Sequence, residues 1–130
     1  MPVTYDIDTA SSLIRTRCAG VVTLDDVMGH FESLINDPAC PPCLNVLLDL
    51  GELSTPPEIH QLRAVSDEIG RIRAVVKFNA LAVVASNDLV FGLSRMFEVF
   101  AKHFFRVTHV FRACDAAEQW LGTYRLPPAS

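Results

Sequence analysis

Ala80-Leu81-Ala82-Val83-Val84-Ala85, then Ser86-Asn87-Asp88, then Leu89-Val90-Phe91-Gly92-Leu93-Ser94-Arg95-Met96-Phe97-Glu98-Val99-Phe100 is the stretch whose reading decides the fold. Its first six residues are an apolar run too short for a core helix, and such a run suits a strand covered on both faces. The strand is predicted over about Phe78 to Ala85. Ser86, Asn87 and Asp88 then turn the chain and offer three side chains able to cap a helix. That helix is predicted over about Leu89 to His103 and carries most of the aromatic weight of the chain.

Working outward, Val107 to Phe111 reads as a strand, and Asp115-Ala116-Ala117-Glu118 caps a short helix through Trp120 and Leu121 that Gly122 closes. Upstream, Thr55-Pro56-Pro57-Glu58 reads as a capping box with proline at the first helical position, opening a helix that ends near Arg73. Leu44 to Leu50 is apolar apart from Asn45 and Asp49, the mark of a central strand, and Gly51 to Ser54 is read as a loop. Thr23 and Asp26 form another capping box, ahead of the single apolar face Leu24, Val27, Met28, Phe31, Leu34 and Ile35. Val3 to Ile7 alternates as a half-buried strand, and Leu13 to Ala19 follows so closely that an antiparallel hairpin is expected, with Gly20 ending it. The order is β-β-α-β-α-β-α-β-α. It predicts an α/β domain with one four-to-five-stranded, mostly parallel sheet carrying an N-terminal antiparallel hairpin. One domain is expected over residues 1–125, with a frayed tail at 126–130.

The chain has 130 residues, is 50% hydrophobic and carries a formal charge of −4. That is enough to bury one sizeable core. The scattered arginines and lysines form no electrostatic footprint for nucleic acid or for anionic membranes. The apolar runs fall short of the roughly 20 residues a membrane-spanning helix needs. Met1 to Asp6 lacks the basic start and apolar region of a secretory signal, so a cytoplasmic protein is expected.

Several side chains invite chemistry. Cys40-Pro41-Pro42-Cys43 has redox-motif spacing, but it leaves a helix and enters a strand, so it lacks the helix N-terminus that activates such a thiol. The four cysteines (18, 40, 43 and 114) are expected as reduced thiols. His30, His60, His103 and His109 sit on separate predicted elements, and no second Cys-x-x-Cys exists, so no metal site is expected. Gly92-Leu93-Ser94 looks like half a nucleophile elbow, but Met96 stands at the closing glycine and the segment lies within a helix. The six glycines are isolated from one another, so no phosphate-cradling loop is expected. No cofactor is implied. Ser86, Asn87 and Asp88, at the C-terminal end of a central strand, are where an enzyme site would be sought.

The long helix is different. Val99, Met96, Leu89, Phe100, Leu93, Phe104, Phe97 and Val90 spread over about half its circumference, wider than a minimal core stripe. Phe91 falls among Glu98, Lys102 and Arg95 on the face expected to be wet. A broad stripe fits a plain core face, a subunit interface or the wall of a hydrophobic pocket.

The element order, together with Asn45-Val46-Leu47-Leu48-Asp49-Leu50 before a capped helix, Ala82 to Ala85 leading to Phe91-Gly92-Leu93-Ser94-Arg95-Met96-Phe97, and Val110-Phe111 leading to Ala116-Ala117-Glu118-Gln119-Trp120-Leu121, resembles the STAS domain of bacterial anti-sigma-factor antagonists. It looks closest to an uncharacterised bacterial branch grouped with STAS and CRAL-TRIO lipid-binding domains. The likeness covers nearly the whole chain and rests on motifs of fold rather than catalysis. It implies a phospho-acceptor at Thr55, beside Ser54, although Ser54-Thr55-Pro56-Pro57 replaces the family's Asp-Ser-Ser-Gly run. An ordinary helix cap, with Glu58 as its reciprocal partner, is the stronger reading of Thr55, since capping alone explains the residues.

Two functions follow as expectations. The first is a non-enzymatic STAS-like interaction module that forms a homodimer or docks on a regulatory protein, using Phe91, Arg95 and Met96 of the long helix and the Ser86, Asn87, Asp88 loop. The second is a small carrier of a hydrophobic or lipidic ligand, held between the sheet and the long helix by Val83, Leu93, Met96, Phe97 and Phe100.

Overall fold

In a computed structural model, residues 2–126 are described. The elements are β1 (Val3–Asp8), β2 (Leu13–Gly20), α1 (Leu24–Ile35), β3 (Cys43–Leu53), α2 (Ile59–Ile72), β4 (Lys77–Val84), α3 (Asp88–Ala101), β5 (Val107–Phe111) and α4 (Cys114–Gly122). This is the expected order, and all five strands join one sheet in chain order, β1-β2-β3-β4-β5. The hairpin β1-β2 is antiparallel and every later pair is parallel. Beyond Leu126 the expected tail lies outside the described residues.

Both faces of the sheet are covered, and the two-residue period of β4 shows how. Leu81 and Val83 pack with Phe31 of α1, Ile69 and Ile72 of α2 and Phe97 of α3. Ala80, Ala82 and Val84 point the other way, onto Ala117 and Leu121 of α4. Three helices therefore share one face and the last helix takes the opposite one. Small alanines on the α4 side let that short helix lie close, whereas the three-helix side is filled by branched and aromatic groups.

Asn45 is the polar exception in the central strand β3. Its register against β4 slips between Leu44 and Val46, and the Asn45 side chain fills the break. Asn45 Oδ1 accepts from the Ala80 backbone N–H (3.1 Å) and from Asn79 Nδ2 (2.9 Å). Asn45 Nδ2 donates to the Tyr124 carbonyl at 3.0 Å. A ladder bond lost to the bulge is thus replaced by a side chain, which also pins the segment after α4.

Three boundaries differ from expectation. Helix α2 begins at Ile59, with Glu58 as its N-cap rather than Thr55. The consecutive prolines explain the delay, because a residue preceding proline is pushed out of the helical region. The Glu58 N–H donates instead to Gln61 Oε1 at 2.8 Å. The Gly51–Leu53 segment continues β3 instead of looping, because Ala19 and Gly20 of β2 pair with Glu52 and Leu53. The N-cap of α4 is Ala113, with Asp115 inside its first turn. Elsewhere the caps match: Thr23 and Asp26 form the box that opens α1, and Asn87 Oδ1 accepts from the N–H groups of Leu89 and Val90 to open α3.

Candidate functional site

Helix α3 turns a narrow stripe to the sheet: Val90, Ser94, Phe97 and Ala101 are its buried residues. Their 4, 3, 4 spacing is one helical face. It is a lean face, since two of its four residues are Ser and Ala. The large side chains the sequence placed toward the sheet lie to the flanks. Phe100 and Phe104 pack toward α2, where the Ser66 hydroxyl donates to the Phe100 carbonyl at 3.1 Å. A Cβ on Gly70 would lie 2.7 Å from the Phe104 ring, so the absence of a side chain there is what admits the ring. Arg63 and Arg73 lie over Phe100 and Phe104, each with its guanidinium carbon 5.1 Å from the ring centre.

On the outer face of α3, Leu89 is 59% exposed, Met96 37% and Val99 61%. With exposed Gly92 between them they form a 3, 4, 3 stripe along the helix. Arg95 beside it forms an ion pair with Glu98 at 3.1 Å, and Thr108 Oγ1 donates to the other Glu98 oxygen at 3.2 Å. Phe91 is not on the wet face. It is half-buried against the core, and the Arg112 guanidinium carbon lies 4.0 Å from its ring centre. The same guanidinium donates to Asp88 Oδ1 at 2.6 Å and to the Ser86 carbonyl at 3.3 Å. Ser86, Asn87 and Asp88 are therefore brought together as a clasp on the helix start: Asn87 caps it, and Arg112 ties the other two to Phe91.

Under the helices is a cavity of about 150 Å³. Its floor is the sheet, from Val3 of β1 through Ile14 and Val46 to Val83 of β4, and its roof comes from α1, α2 and α3. Thr23 and Thr55 line it and are exposed, so it reaches the surface between the start of α1 and the loop before α2. Of the side chains expected around a pocket, Val83 and Phe97 line it. Leu93, Met96 and Phe100 are not among its walls, because the phase of α3 turns Ser94 inward in place of Leu93.

Among the described residues no charged side chain lines the cavity. Two of its lining polar atoms are buried without a hydrogen-bond partner among those residues: Ser94 Oγ from α3 and His30 Nδ1 from α1. The His30 ring packs edge-on to Tyr5 at 5.2 Å and tilted on Phe31 at 5.5 Å. Burial pushes its pKa down to about 4, so it is neutral at pH 7.

The other expected chemistry finds no assembly. All four cysteines are free. Burial raises the Cys40 pKa, with Asp37 adding to it. Cys114 begins α4, yet its pKa is raised by burial and by Asp49, whose Oδ2 lies 3.5 Å from the sulfur. His60 lies 3.1 Å from Glu58 on the surface, and His109 stacks among Phe111 and Trp120. Among the described residues no three His, Cys, Asp or Glu side chains gather as a metal site. No helix among them is long and apolar enough to cross a membrane.

Sequence reasoning passed over Arg112 and the inward role of Ser94, and weighed His30 only as a metal ligand. A polar residue interrupting the Val90, Phe97, Ala101 spacing was the available signal for Ser94. For Arg112 and His30 there was none, because their roles depend on neighbours far along the chain.

No family model matches the sequence, and no curated protein matches it. Among solved structures, the chain is similar to an uncharacterised protein of the DUF3478 family with a SpoIIAA-like fold, from Shewanella loihica PV-4. The two share 16% identity, with 92% of this chain and 91% of the other covered and a TM-score of 0.61. At that identity the likeness speaks of architecture alone. The chain has a SpoIIAA-like fold, the architecture that the STAS resemblance of its sequence implied.

Proposed function

We propose that the protein is a non-enzymatic, cytoplasmic STAS-type regulatory module that acts as a homodimer through the outer face of α3. The observation that carries this reading is the exposed stripe of Leu89, Met96 and Val99, interrupted only by Gly92. Apolar groups in 3, 4 spacing suit pairing with another helix, and glycine lets two helices approach closely. A second copy of α3 running antiparallel would bring the exposed Lys102 after each helix toward Asp88 at the start of the other, beside the Arg112 that already pairs with Asp88. Docking on a different regulatory protein is the other use of the same stripe. Thr55, with Ser54 beside it, is its candidate phospho-acceptor; both are exposed, and intact-mass and fragment analysis of the protein from its source cells tests for the phosphate.

Size-exclusion chromatography with light scattering, repeated on Met96→Glu and Val99→Glu, tests the module. A dimer that both variants convert to a folded monomer supports it. A wild-type monomer at every accessible concentration, or a dimer indifferent to both charges, rules out self-pairing through this helix.

A second reading, a carrier of a hydrophobic ligand, is favoured by the cavity between the sheet and the three helices. Its walls come chiefly from the sheet, α1 and α2 rather than from the long helix alone. Native mass spectrometry tests it by looking for added mass that is lost on denaturation.

A further inference from the structure

The cavity combines three properties that narrow what can occupy it, an inference that rests on the ligand-carrier reading. Its size is about 150 Å³, and apolar cavities of about that volume in other proteins stay dry and take up benzene or xenon. Among the described residues its walls include no Asp, Glu, Lys or Arg, so a charged group inside would be desolvated with none of them to pair it. Yet it is not a plain hydrocarbon void. Ser94 is only 3% exposed and its hydroxyl has no hydrogen-bond partner among the described residues, and His30 Nδ1 is likewise buried and unpaired among them. A helical serine usually returns its proton to a carbonyl one turn back, and Ser94 does not. Native interiors rarely leave such groups orphaned, so a missing partner is itself informative.

We propose that the cavity is a binding site for a small, uncharged, mainly hydrophobic molecule carrying a hydroxyl or similar neutral hydrogen-bonding group that pairs with Ser94 or His30. A hydroxyl suits either atom, since it can donate to the imidazole nitrogen and can donate to or accept from the serine. The molecule enters between Thr23 and Thr55, where the cavity meets solvent. A carboxylate or phosphate headgroup finds no cation inside and would have to remain at that mouth, which disfavours ionised lipids as interior occupants.

The test is titration of the full-length protein with phenol, benzene and decanoate, followed through the methyl resonances of the Val and Leu residues that line the cavity. Phenol is expected to bind saturably, and Ser94→Ala to weaken it about fivefold, the effect of one lost hydrogen bond, while leaving benzene unchanged. His30→Phe provides the same comparison for the imidazole. Benzene or decanoate binding with phenol excluded would overturn the proposed ligand class and leave the carrier reading standing. Failure of all three probes to move the cavity methyls would overturn both. Equal loss of benzene and phenol in Ser94→Ala and His30→Phe, with both variants folded, would show that neither polar atom serves the ligand.

Discussion

The guanidinium of Arg112 lies over the face of Phe91, its central carbon 4.0 Å from the ring centre. The same group reaches Asp88 and the Ser86 carbonyl, so one side chain from the loop before α4 closes the start of α3. Phe91 thus belongs to the fold and Met96 to the surface, though both lie on one helix. Arg112→Ala is expected to cost no more than about 1 kcal/mol, most of it from the half-buried Phe91 ring, because the Asp88 side chain is 94% exposed and its ion pair is screened. Phe91→Ala should cost roughly 2 kcal/mol, less than for a fully buried ring. Met96→Ala should change monomer stability by under about 0.5 kcal/mol, as surface substitutions do, while loosening any dimer. Urea unfolding alongside light scattering separates the two effects. A Phe91 variant that dissociates a dimer without losing stability would reverse this assignment.

Asn45 holds the bulge between β3 and β4 through bonds to the Ala80 N–H, Asn79 Nδ2 and the Tyr124 carbonyl. Asn45→Leu takes the acceptor from the buried Ala80 N–H, while Asn79 Nδ2 keeps its 3.3 Å bond to the Tyr124 carbonyl. One buried unpaired group costs about 1–3 kcal/mol, so a loss of about that size is expected, accompanied by earlier hydrogen exchange at Ala80. Asn45→Asp keeps the acceptor but loses the donor to Tyr124, and should be disruptive as well because it buries a charge. A neutral effect of Asn45→Leu would mean that the sheet re-registers without its bulge.

Element order was legible because each signal for it is local: the Thr23 and Asn87 caps, the short apolar run at Ala80, the hairpin spacing before Leu13. The rotation of α3 was not. A helical wheel weights residues by hydrophobicity, whereas the face of β4 that α3 meets already carries Leu81 and Val83, so the small Ser94 and Ala101 face inward and Phe100 and Phe104 turn toward Gly70 and Ser66 of α2. The start of α2 was misplaced because the capping pattern at Thr55 outweighed the effect of Pro57 on Pro56. The cavity could not be read at all, since a void is set by the distance between elements and leaves no residue pattern of its own. The residues chosen for a pocket accordingly overlap its walls only at Val83 and Phe97.

Cys114 is exposed at the start of α4, a position that ordinarily lowers a thiol pKa, yet its pKa is raised by partial desolvation of the sulfur and by the neighbouring Asp49 carboxylate. It should therefore alkylate more slowly than free cysteine at neutral pH, because the thiolate is the reactive form. Asp49→Asn removes the charge next to the sulfur, keeps the shape, and is expected to speed alkylation several-fold. Iodoacetamide labelling with site-resolved mass spectrometry gives both rates. Unchanged labelling in the variant would mean that burial alone sets the reactivity.

His30 should make stability depend on pH in one window. Its folded pKa of about 4 lies below the ordinary 6.5 because burial disfavours the imidazolium. Between those values the unfolded chain binds the extra proton and the folded chain does not, so stability rises with pH there. The contribution is fully present above about pH 6.5, is lost as the pH falls, and levels off below about 4, with a total of no more than roughly 3 kcal/mol. The groups around the ring do not reverse this: Tyr5 and Phe31 are uncharged, and Asp37 is occupied by the Tyr5 hydroxyl at 2.7 Å. Asp8, Asp26 and Asp37 have lowered pKa values from their own hydrogen bonds and contribute a further loss in acid. That loss is common to wild type and His30→Phe, so the difference between their unfolding free energies isolates the imidazole. The difference should shift in favour of the variant as the pH is taken from 7 to about 4. Parallel curves would place the imidazole in contact with water, and a ligand hydroxyl would then have no orphaned nitrogen to satisfy.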